Sequence, residues 1–163
     1  MLDIINSRRS VRKFKADPVS EQDLTDILEA AMNAPSAGNE QAWQFVVLQG
    51  ETLQKYLAIN NNAPKGAPVG ILVCQDLQVE KYAGLAVQDC AAATQNILLA
   101  VHAKGLGSVW TAVFPQNVAD VRKLLALPEQ ITPFAFTPIG YPAATPANRS
   151  SRYAAARVHQ NKW

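Results

Sequence analysis

Hydrophobic positions recur along the chain with two different periods, and the two periods predict different elements. Ser20 followed three residues later by Asp23 is typical of a capping box, which predicts the start of a helix there. The helical stripe that follows consists of Leu24, Ile27, Leu28, Ala31 and Met32. Further helices are predicted at residues 3–8, 52–58, 84–104 and 118–127. We expect Asn117, with Asp120, to cap the last of these.

Short continuous apolar runs predict four buried strands. They lie at residues 45–48, 69–74, 108–114 and 133–141, the last of them a Pro-edged strand. Residues 143–163 have little periodicity, which predicts an extended tail that something else must tie down. Helices alternating with strands in this order predict an α+β or α/β sandwich, with helices covering a sheet of about four strands.

The helix predicted at residues 84–104 is apolar on most of its sides. Its sparse polar positions, Gln88, Gln95 and His102, are spaced by seven residues, and Gly105 closes the helix. We interpret His102 as part of this narrow polar stripe rather than as a catalytic base. Because a chain of this size has difficulty covering such a helix alone, we predict that it contributes to a subunit interface.

Composition indicates one domain spanning residues 1–163, with 48% hydrophobic and 17% charged residues. No apolar run approaches the roughly 18–20 residues that cross a bilayer. The N-terminus lacks the pattern of a signal peptide, so we expect a cytoplasmic protein. Cys74 and Cys90 are isolated cysteines in apolar surroundings, and we expect both to be buried, reduced thiols.

Positive charge is concentrated at the two ends of the chain, although the net charge is only +2. One explanation is nucleic-acid binding, but neither segment alternates basic residues with aromatics and no binding motif is present. A smaller anion held between the two ends explains the same asymmetry. The basic residues are Arg8, Arg9, Arg12, Lys13 and Lys15 at the start, and Arg149, Arg152, Arg157 and Lys162 at the end.

The chain has no phosphate-binding GxxxxGK[ST] motif, no GxSxG motif and no metal-ligand spacing. What remains is a set of donors and acceptors, which is typical of a protein whose chemistry comes from a bound cofactor. A phosphate is predicted to bind the guanidiniums and hydroxyl of Arg8, Arg9, Ser10, Arg12 and Arg152. The small residues Pro35, Ser36 and Ala37 would let backbone approach a flat ring, and Asn39 and Gln41 would meet a ring edge. The alternatives are a solvated basic turn and an ordinary loop at the end of a helix.

Taken together, these motifs resemble the FMN-dependent nitroreductase family along essentially the whole chain. The resemblance rests on residues 8–12, 35–45, 105–108 and 139–142 and on the arginine-containing tail. It implies an α+β nitroreductase-like sandwich with a mixed sheet of about four to five strands covered by helices. It also implies a homodimer with exchanged C-terminal tails and two FMN sites at the interface.

Site residues follow from the resemblance position by position, and none is a catalytic side chain or a metal ligand. Arg8, Arg9, Ser10 and Arg12 match phosphate and ribityl contacts, and Arg152 matches a tail cation, with Arg149 as its rival. Pro35, Ser36 and Ala37 match a loop that lies along the flavin from the other subunit, with Asn39 near the ring edge. Trp110, Thr111 and Ala112 match the segment whose backbone N–H groups face flavin N5 and O4. Asn61, Asn62 and Lys65 remain open as contacts on the pyrimidine side.

The implied function is electron transfer from NAD(P)H through FMN to a nitroaromatic, quinone or similar acceptor by a ping-pong mechanism. The sequence departs from the family at Ala42, where proline is frequent, and at Ala112-Val113, where Gly-Gly or Glu-Gly is common. The short connection after Pro115 lacks a segment that often covers the substrate cleft. This departure motivates an alternative, a flavin-binding or storage protein with little turnover. A small nucleic-acid-binding protein is a third possibility.

Overall fold

The computed structural model describes residues 2–147 and 150–163. Its five α-helices are α1 (Leu2–Ser7), α2 (Glu21–Met32), α3 (Gly50–Ile59), α4 (Ala86–Ala103) and α5 (Val118–Leu125). Its five strands are β1 (Trp43–Gln49), β2 (Val69–Asp76), β3 (Gly107–Ser108), β4 (Thr111–Ala112) and β5 (Ile131–Gly140). Short 3₁₀ turns occupy Ala37–Asn39, Pro115–Asn117 and Ala155–Arg157. The element order therefore agrees with the order predicted from the sequence.

The strands form one sheet in the order β1-β2-β5-β3, with β4 also paired to β5. The predicted number of strands is confirmed, but the strand pairings are antiparallel rather than mixed. A parallel contact occurs only as an isolated bridge between Ser10 and Ser108 among the described residues. Neighbouring strands are joined through helices, since α3 connects β1 to β2 and both α4 and α5 lie between β2 and β5, but their antiparallel pairing excludes βαβ crossovers.

The third predicted strand, residues 108–114, is divided into β3 and β4. Both short strands share one register on β5, because Ser108 faces Ile139 and Thr111 faces Phe136. The interruption falls opposite Pro138, which has no N–H to donate to a ladder. The fourth predicted strand is β5, which begins at Ile131, so Pro133 lies inside the strand rather than at its edge. Pro133 faces Cys74 where the register shifts, and this bulge accommodates the missing N–H.

Helices cover both faces of the sheet. On one face, α2 and α4 pack against Val69, Ile71 and Val73, with Ile27, Ala93 and Ile97 fully buried between the layers. On the other face, α3 and α5 pack against Leu72 and Phe136, with Leu53, Tyr56 and Val121 among the buried residues. Because successive side chains of β2 point to opposite faces of the sheet, this strand contributes residues to the hydrophobic cores on both faces. This is the predicted α+β sandwich.

Of the two N-terminal helix caps predicted from the sequence, one is correct and one is wrong. Ser20 caps α2 as expected, because its Oγ accepts a hydrogen bond from the Asp23 N–H at 3.0 Å. Asn117 precedes α5 but its side chain makes no capping hydrogen bond. Its carboxamide instead donates to Asn60 Oδ1 at 3.2 Å, which is a tertiary contact that the local sequence does not indicate.

Both cysteines are buried and free, as expected, and burial raises the pKa of each thiol to about 12. Among the described residues, no helix has the length and apolar character needed to cross a membrane. Tail residues 150–163 are exposed along their whole length, which agrees with the extended tail predicted from their lack of periodicity.

Candidate cofactor site

Backbone hydrogen bonds hold the arginine segment, residues 8–12, against β3. The Val11 N–H donates to Ser108 O at 2.9 Å, and Ser10 forms a bridge with Ser108. Gly107 permits this approach, because a Cβ at that position would lie 2.7 Å from the Val11 side chain. The segment after α1 is therefore held against the sheet, and its arginine side chains are presented from a fixed backbone.

Arg9 ties the start of the chain to the tail. Its Nη1 donates to Asn6 O at 2.7 Å and to Arg8 O at 2.8 Å, and its Nε donates to Ala147 O at 3.2 Å. These bonds use three of the five N–H donors of the guanidinium and leave the two on Nη2. Arg9 therefore mainly connects the start of the chain to the tail, and only its Nη2 remains available to a ligand.

Arg8 and Arg152 approach each other from opposite ends of the sequence. Both line a cavity of about 630 Å³, together with Arg9 and Gln95. An adjoining cavity of about 440 Å³ is lined by Arg9, Ser10, Arg12, Arg152 and two tail residues. The structure thus brings together all five residues predicted to hold a phosphate. Arg149, the rival tail cation, lies outside the described residues.

The positive charge of this site is uncompensated. The pKa of Arg8 is lowered by desolvation and by the charges of Arg152 and Arg9. Within residues 2–147 and 150–163, the ion pairs involve only Lys55 and Lys104, so none of these arginines is paired with a carboxylate. Repulsion among like charges in a concave site is relieved by an anion, and guanidiniums match the geometry of a phosphate.

The loop at residues 35–41 lies at the other end of α4. The Ala37 N–H donates to Asp89 Oδ1 at 3.0 Å, in the first turn of α4, whereas Ser7 contacts His102 in the last turn. These two positions on α4 are thirteen residues apart, which is roughly 20 Å along a helix. Among the described residues, neither arginine-lined cavity includes Pro35, Ser36, Ala37, Asn39 or Gln41 in its lining.

This loop has a backbone shape that few residues adopt. Gly38, Asn39 and Gln41 have φ values of 51°, 57° and 55°, in the left-handed region. Ser36 Oγ accepts a hydrogen bond from the Gln41 N–H at 3.0 Å, which closes the loop on itself. Glu40 Oε1 accepts from the N–H groups of Lys81 and Tyr82. The loop is therefore a rigid feature rather than an ordinary helix end.

The segment Trp110, Thr111 and Ala112 begins two residues after Ser108, which pairs with Ser10 of the arginine segment. The Trp110 ring packs edge-on against Phe134, and the buried Thr111 donates its hydroxyl to Phe136 O at 2.9 Å. Ala112 is exposed. Its carbonyl points away from β5, because it accepts the side chains of Asn60 and Asn62. Its N–H points to the same side, since both groups of one residue in an extended strand do so.

Asparagines of the predicted polar loop behave differently from one another. Asn61, Asn62 and Lys65 are all exposed, and the Asn62 side chain donates to Ala112 O. Asn60 is fully buried, and sequence reasoning missed it because it lies in a run of polar residues typical of a solvated loop. Asn117 was assigned to a helix cap instead. No group of three or more metal-ligating side chains is present in the described part of the chain.

Comparison with known proteins defines the class to which this fold and site belong. The model of the nitroreductase family matches residues 5–62 and 55–141. The chain therefore belongs to the nitroreductase family.

Individual relatives are similar over nearly their full length. "Putative NADH dehydrogenase/NAD(P)H nitroreductase" of Methanothermobacter thermautotrophicus is 44% identical, covering 100% of this chain and 87% of the relative. The crystal structure of "Putative NADH Oxidase" from Clostridium acetobutylicum has a TM-score of 0.93 and 37% identity, covering 99% of this chain and 100% of the other. The structure of "a putative nitroreductase in complex with fmn" from Desulfovibrio desulfuricans has a TM-score of 0.89 and 32% identity, covering 99% and 96%.

Proposed function

We propose that this protein is an NAD(P)H-dependent oxidoreductase that binds FMN and passes electrons to a nitroaromatic, quinone or similar acceptor. The observation that carries the proposal is the convergence of Arg8 and Arg152 on one cavity, where neither is paired with a carboxylate of the described residues. The names of several relatives, including "FMN reductase [NAD(P)H]" of Bacillus subtilis at 27% identity, support the same chemistry.

The residues present fit a phosphorylated flavin. Arg8, Arg12 and Arg152, with Nη2 of Arg9 and the Ser10 hydroxyl, would hold the phosphate through charge-assisted hydrogen bonds. When bound, FMN supplies the hydride and electron chemistry. The chain then needs no acid or base of its own, and its part is to bind, orient and exclude water.

Backbone donors of β4 would orient the reactive ring. Ala112 is exposed, and its N–H points away from β5 on the same side as its carbonyl. A donor at flavin N5 or O4 stabilises the charge that develops on reduction. Because the nicotinamide and the acceptor would use the same ring face in turn, we propose a ping-pong scheme.

A second copy of the chain completes the proposed site. The loop at residues 35–41 is rigid but lines neither arginine cavity in the described part of its own chain, so it would serve the flavin of a partner. Leu2, Ile5 and Val87 on α1 and α4 are 73%, 52% and 41% exposed, which gives the apolar surface that a homodimer would bury. The exposed tail, including Tyr153, would close over the partner.

The first experiment is an absorbance spectrum of the purified protein, followed by titration with FMN. We expect a yellow protein that is bleached by NADH or NADPH under anaerobic conditions and recoloured by a nitroaromatic or a quinone. Initial rates at several acceptor concentrations should give parallel double-reciprocal lines. Colourless protein that takes up no FMN would refute the proposal, and bound FMN that NAD(P)H never reduces would favour a storage role. Light scattering at micromolar protein tests the dimer.

A further inference from the structure

Three asparagines and one backbone carbonyl form a cluster beside β4. The Ala112 carbonyl accepts hydrogen bonds from Asn60 Nδ2 at 3.2 Å and Asn62 Nδ2 at 3.1 Å. Asn60 Nδ2 also donates to Tyr56 Oη at 3.0 Å, and Asn60 Oδ1 accepts from Asn117 Nδ2 at 3.2 Å. We call Asn60, Asn62 and Asn117 the asparagine cluster.

Chemistry fixes the orientation of each carboxamide in the cluster. A backbone carbonyl only accepts, so the atoms of Asn60 and Asn62 that face it must be amide nitrogens. Asn60 then uses both of its amide protons and its oxygen. Asn60 and Tyr56 are both 0% exposed, so these bonds are shielded from water and from competition by solvent.

The asparagine cluster supplies hydrogen bonds to the side of β4 on which a further strand would otherwise pair. β4 is two residues long, and β5 is the strand to which it is paired in the described sheet. On its other side, the Ala112 carbonyl is held by Asn60 at the end of α3 and by Asn62 in the loop that follows, while Asn117 in the turn before α5 holds Asn60. Both lone pairs of the carbonyl are occupied, so the peptide group that joins Ala112 to Val113 cannot rotate without breaking at least two hydrogen bonds. This holds Ala112 from its C-terminal side, which restrains the backbone conformation of Ala112 and with it the direction of its N–H.

We infer that the asparagine cluster is a positioning device that sets the direction of the Ala112 N–H toward the bound flavin. The inference rests on the proposed FMN binding. Asn60 and Asn117 act through Ala112, because Asn60 is fully buried and Asn117 reaches the strand only through Asn60. A donor held at N5 or O4 favours the reduced ring, so the cluster helps to set the reduction potential of the flavin.

The test compares Asn60→Ala and Asn117→Ala with Gln116→Ala, which removes an exposed carboxamide from the residue before Asn117. Two quantities are measured, namely the midpoint potential of bound FMN and the amide exchange rate at Val113 in FMN-free protein. The Val113 N–H shares a peptide group with the Ala112 carbonyl and donates to Phe134 O. We expect a more negative potential and faster exchange in both asparagine variants, with the larger change in Asn60→Ala. Gln116→Ala should match wild type, and FMN affinity should change little because the arginines remain.

Wild-type potential and wild-type exchange in FMN-loaded, folded Asn60→Ala and Asn117→Ala would overturn the inference. If Asn60→Ala does not fold, Asn117→Ala alone decides, since Asn117 is only half-buried. Failure of the proposed function has a different signature, because wild-type protein would then bind no FMN. Exchange at Val113 still shows in that case whether the cluster holds β4, and unchanged exchange in the variants refutes it.

Discussion

Ser7 Oγ lies 2.7 Å from His102 Nε2, which joins the last residue of α1 to the last turn of α4. The Ser7 hydroxyl donates its proton to Asp3 O, so His102 Nε2 must carry the hydrogen of this contact. The histidine that the sequence placed in a polar stripe therefore anchors the helix from which the arginine segment starts. Desolvation, followed by the charges of Arg8 and Arg9, lowers the pKa of His102.

This lowered pKa predicts a loss of stability on the acid side. Below about pH 6.5, the ordinary pKa of histidine, the unfolded chain takes up a proton that the folded chain resists, so folding becomes less favourable as pH falls. We expect the Tm of FMN-free protein to drop between pH 7 and pH 5 and to drop less in His102→Gln. His159→Gln removes an exposed histidine and serves as control. Equal slopes in wild type and His102→Gln would contradict the prediction.

Replacement of Arg8 tests the phosphate contact directly. Loss of one charge-assisted hydrogen-bonding group should cost about 1.5–3 kcal/mol, or about ten- to hundredfold in FMN affinity. Lys55→Ala is a matched control, because Lys55 is an exposed cation paired with Glu51 on α3. Fluorescence titration of FMN measures both variants. Equal affinity in Arg8→Ala and wild type, with normal folding, would show that the phosphate binds elsewhere.

Lys104 joins α4 to the start of α2 by contacting Asp23 at 2.9 Å and Asp26 at 2.5 Å. Its hydrogen bonds lower the pKa of both carboxyl groups. A carboxyl group with a lowered folded-state pKa contributes stability above its unfolded pKa of about 3.9 and loses it as pH falls further. Lys104→Met should therefore have a lower free energy of unfolding than wild type at pH 7. The difference between the two proteins should decrease toward pH 3. Urea unfolding at several pH values measures this difference.

The matched control for that experiment is Lys55→Met, which breaks an exposed pair within α3. Exposed ion pairs within one helix contribute roughly 0.3–0.5 kcal/mol. The difference in free energy of unfolding between Lys55→Met and wild type should therefore be small at every pH. A difference for Lys104→Met that stays constant from pH 7 to pH 3 would show that packing, rather than the ion pairs, accounts for the loss.

Gly70 is required by the ring of Phe136. A Cβ at position 70 would overlap the end of this ring, which is fully buried between α3 and the sheet. Gly70→Ala should destabilise the protein by about 1–3 kcal/mol through overpacking. Phe136→Leu shortens the opposing side chain, so the double variant should be more stable than the sum of the single effects predicts. Strict additivity in urea unfolding would refute this contact as the cause.

The local sequence pattern was sufficient to predict those elements whose structure depends on residues close together in the chain. The Ser20–Asp23 cap, the helical stripe of α2 and the apolar run of β2 depend on contacts within a few residues, and all were predicted. The division of the third strand depends on Pro138, which lies thirty residues beyond Ser108 and reaches it only through sheet pairing. The roles of Asn60 and Asn117 likewise depend on a contact across 57 positions.

The sequence alone determined the order of the elements, the sandwich architecture and the arginines that form the candidate phosphate site, because hydrophobic period and residue chemistry are local properties. Only the tertiary structure decided that Arg9 is occupied by backbone carbonyls, that the loop at residues 35–41 contacts Asp89 in the first turn of α4, and that Asn60 holds Ala112. These relationships arise when distant segments pack against one sheet, and the spacing of residues along a chain does not specify their distance after packing.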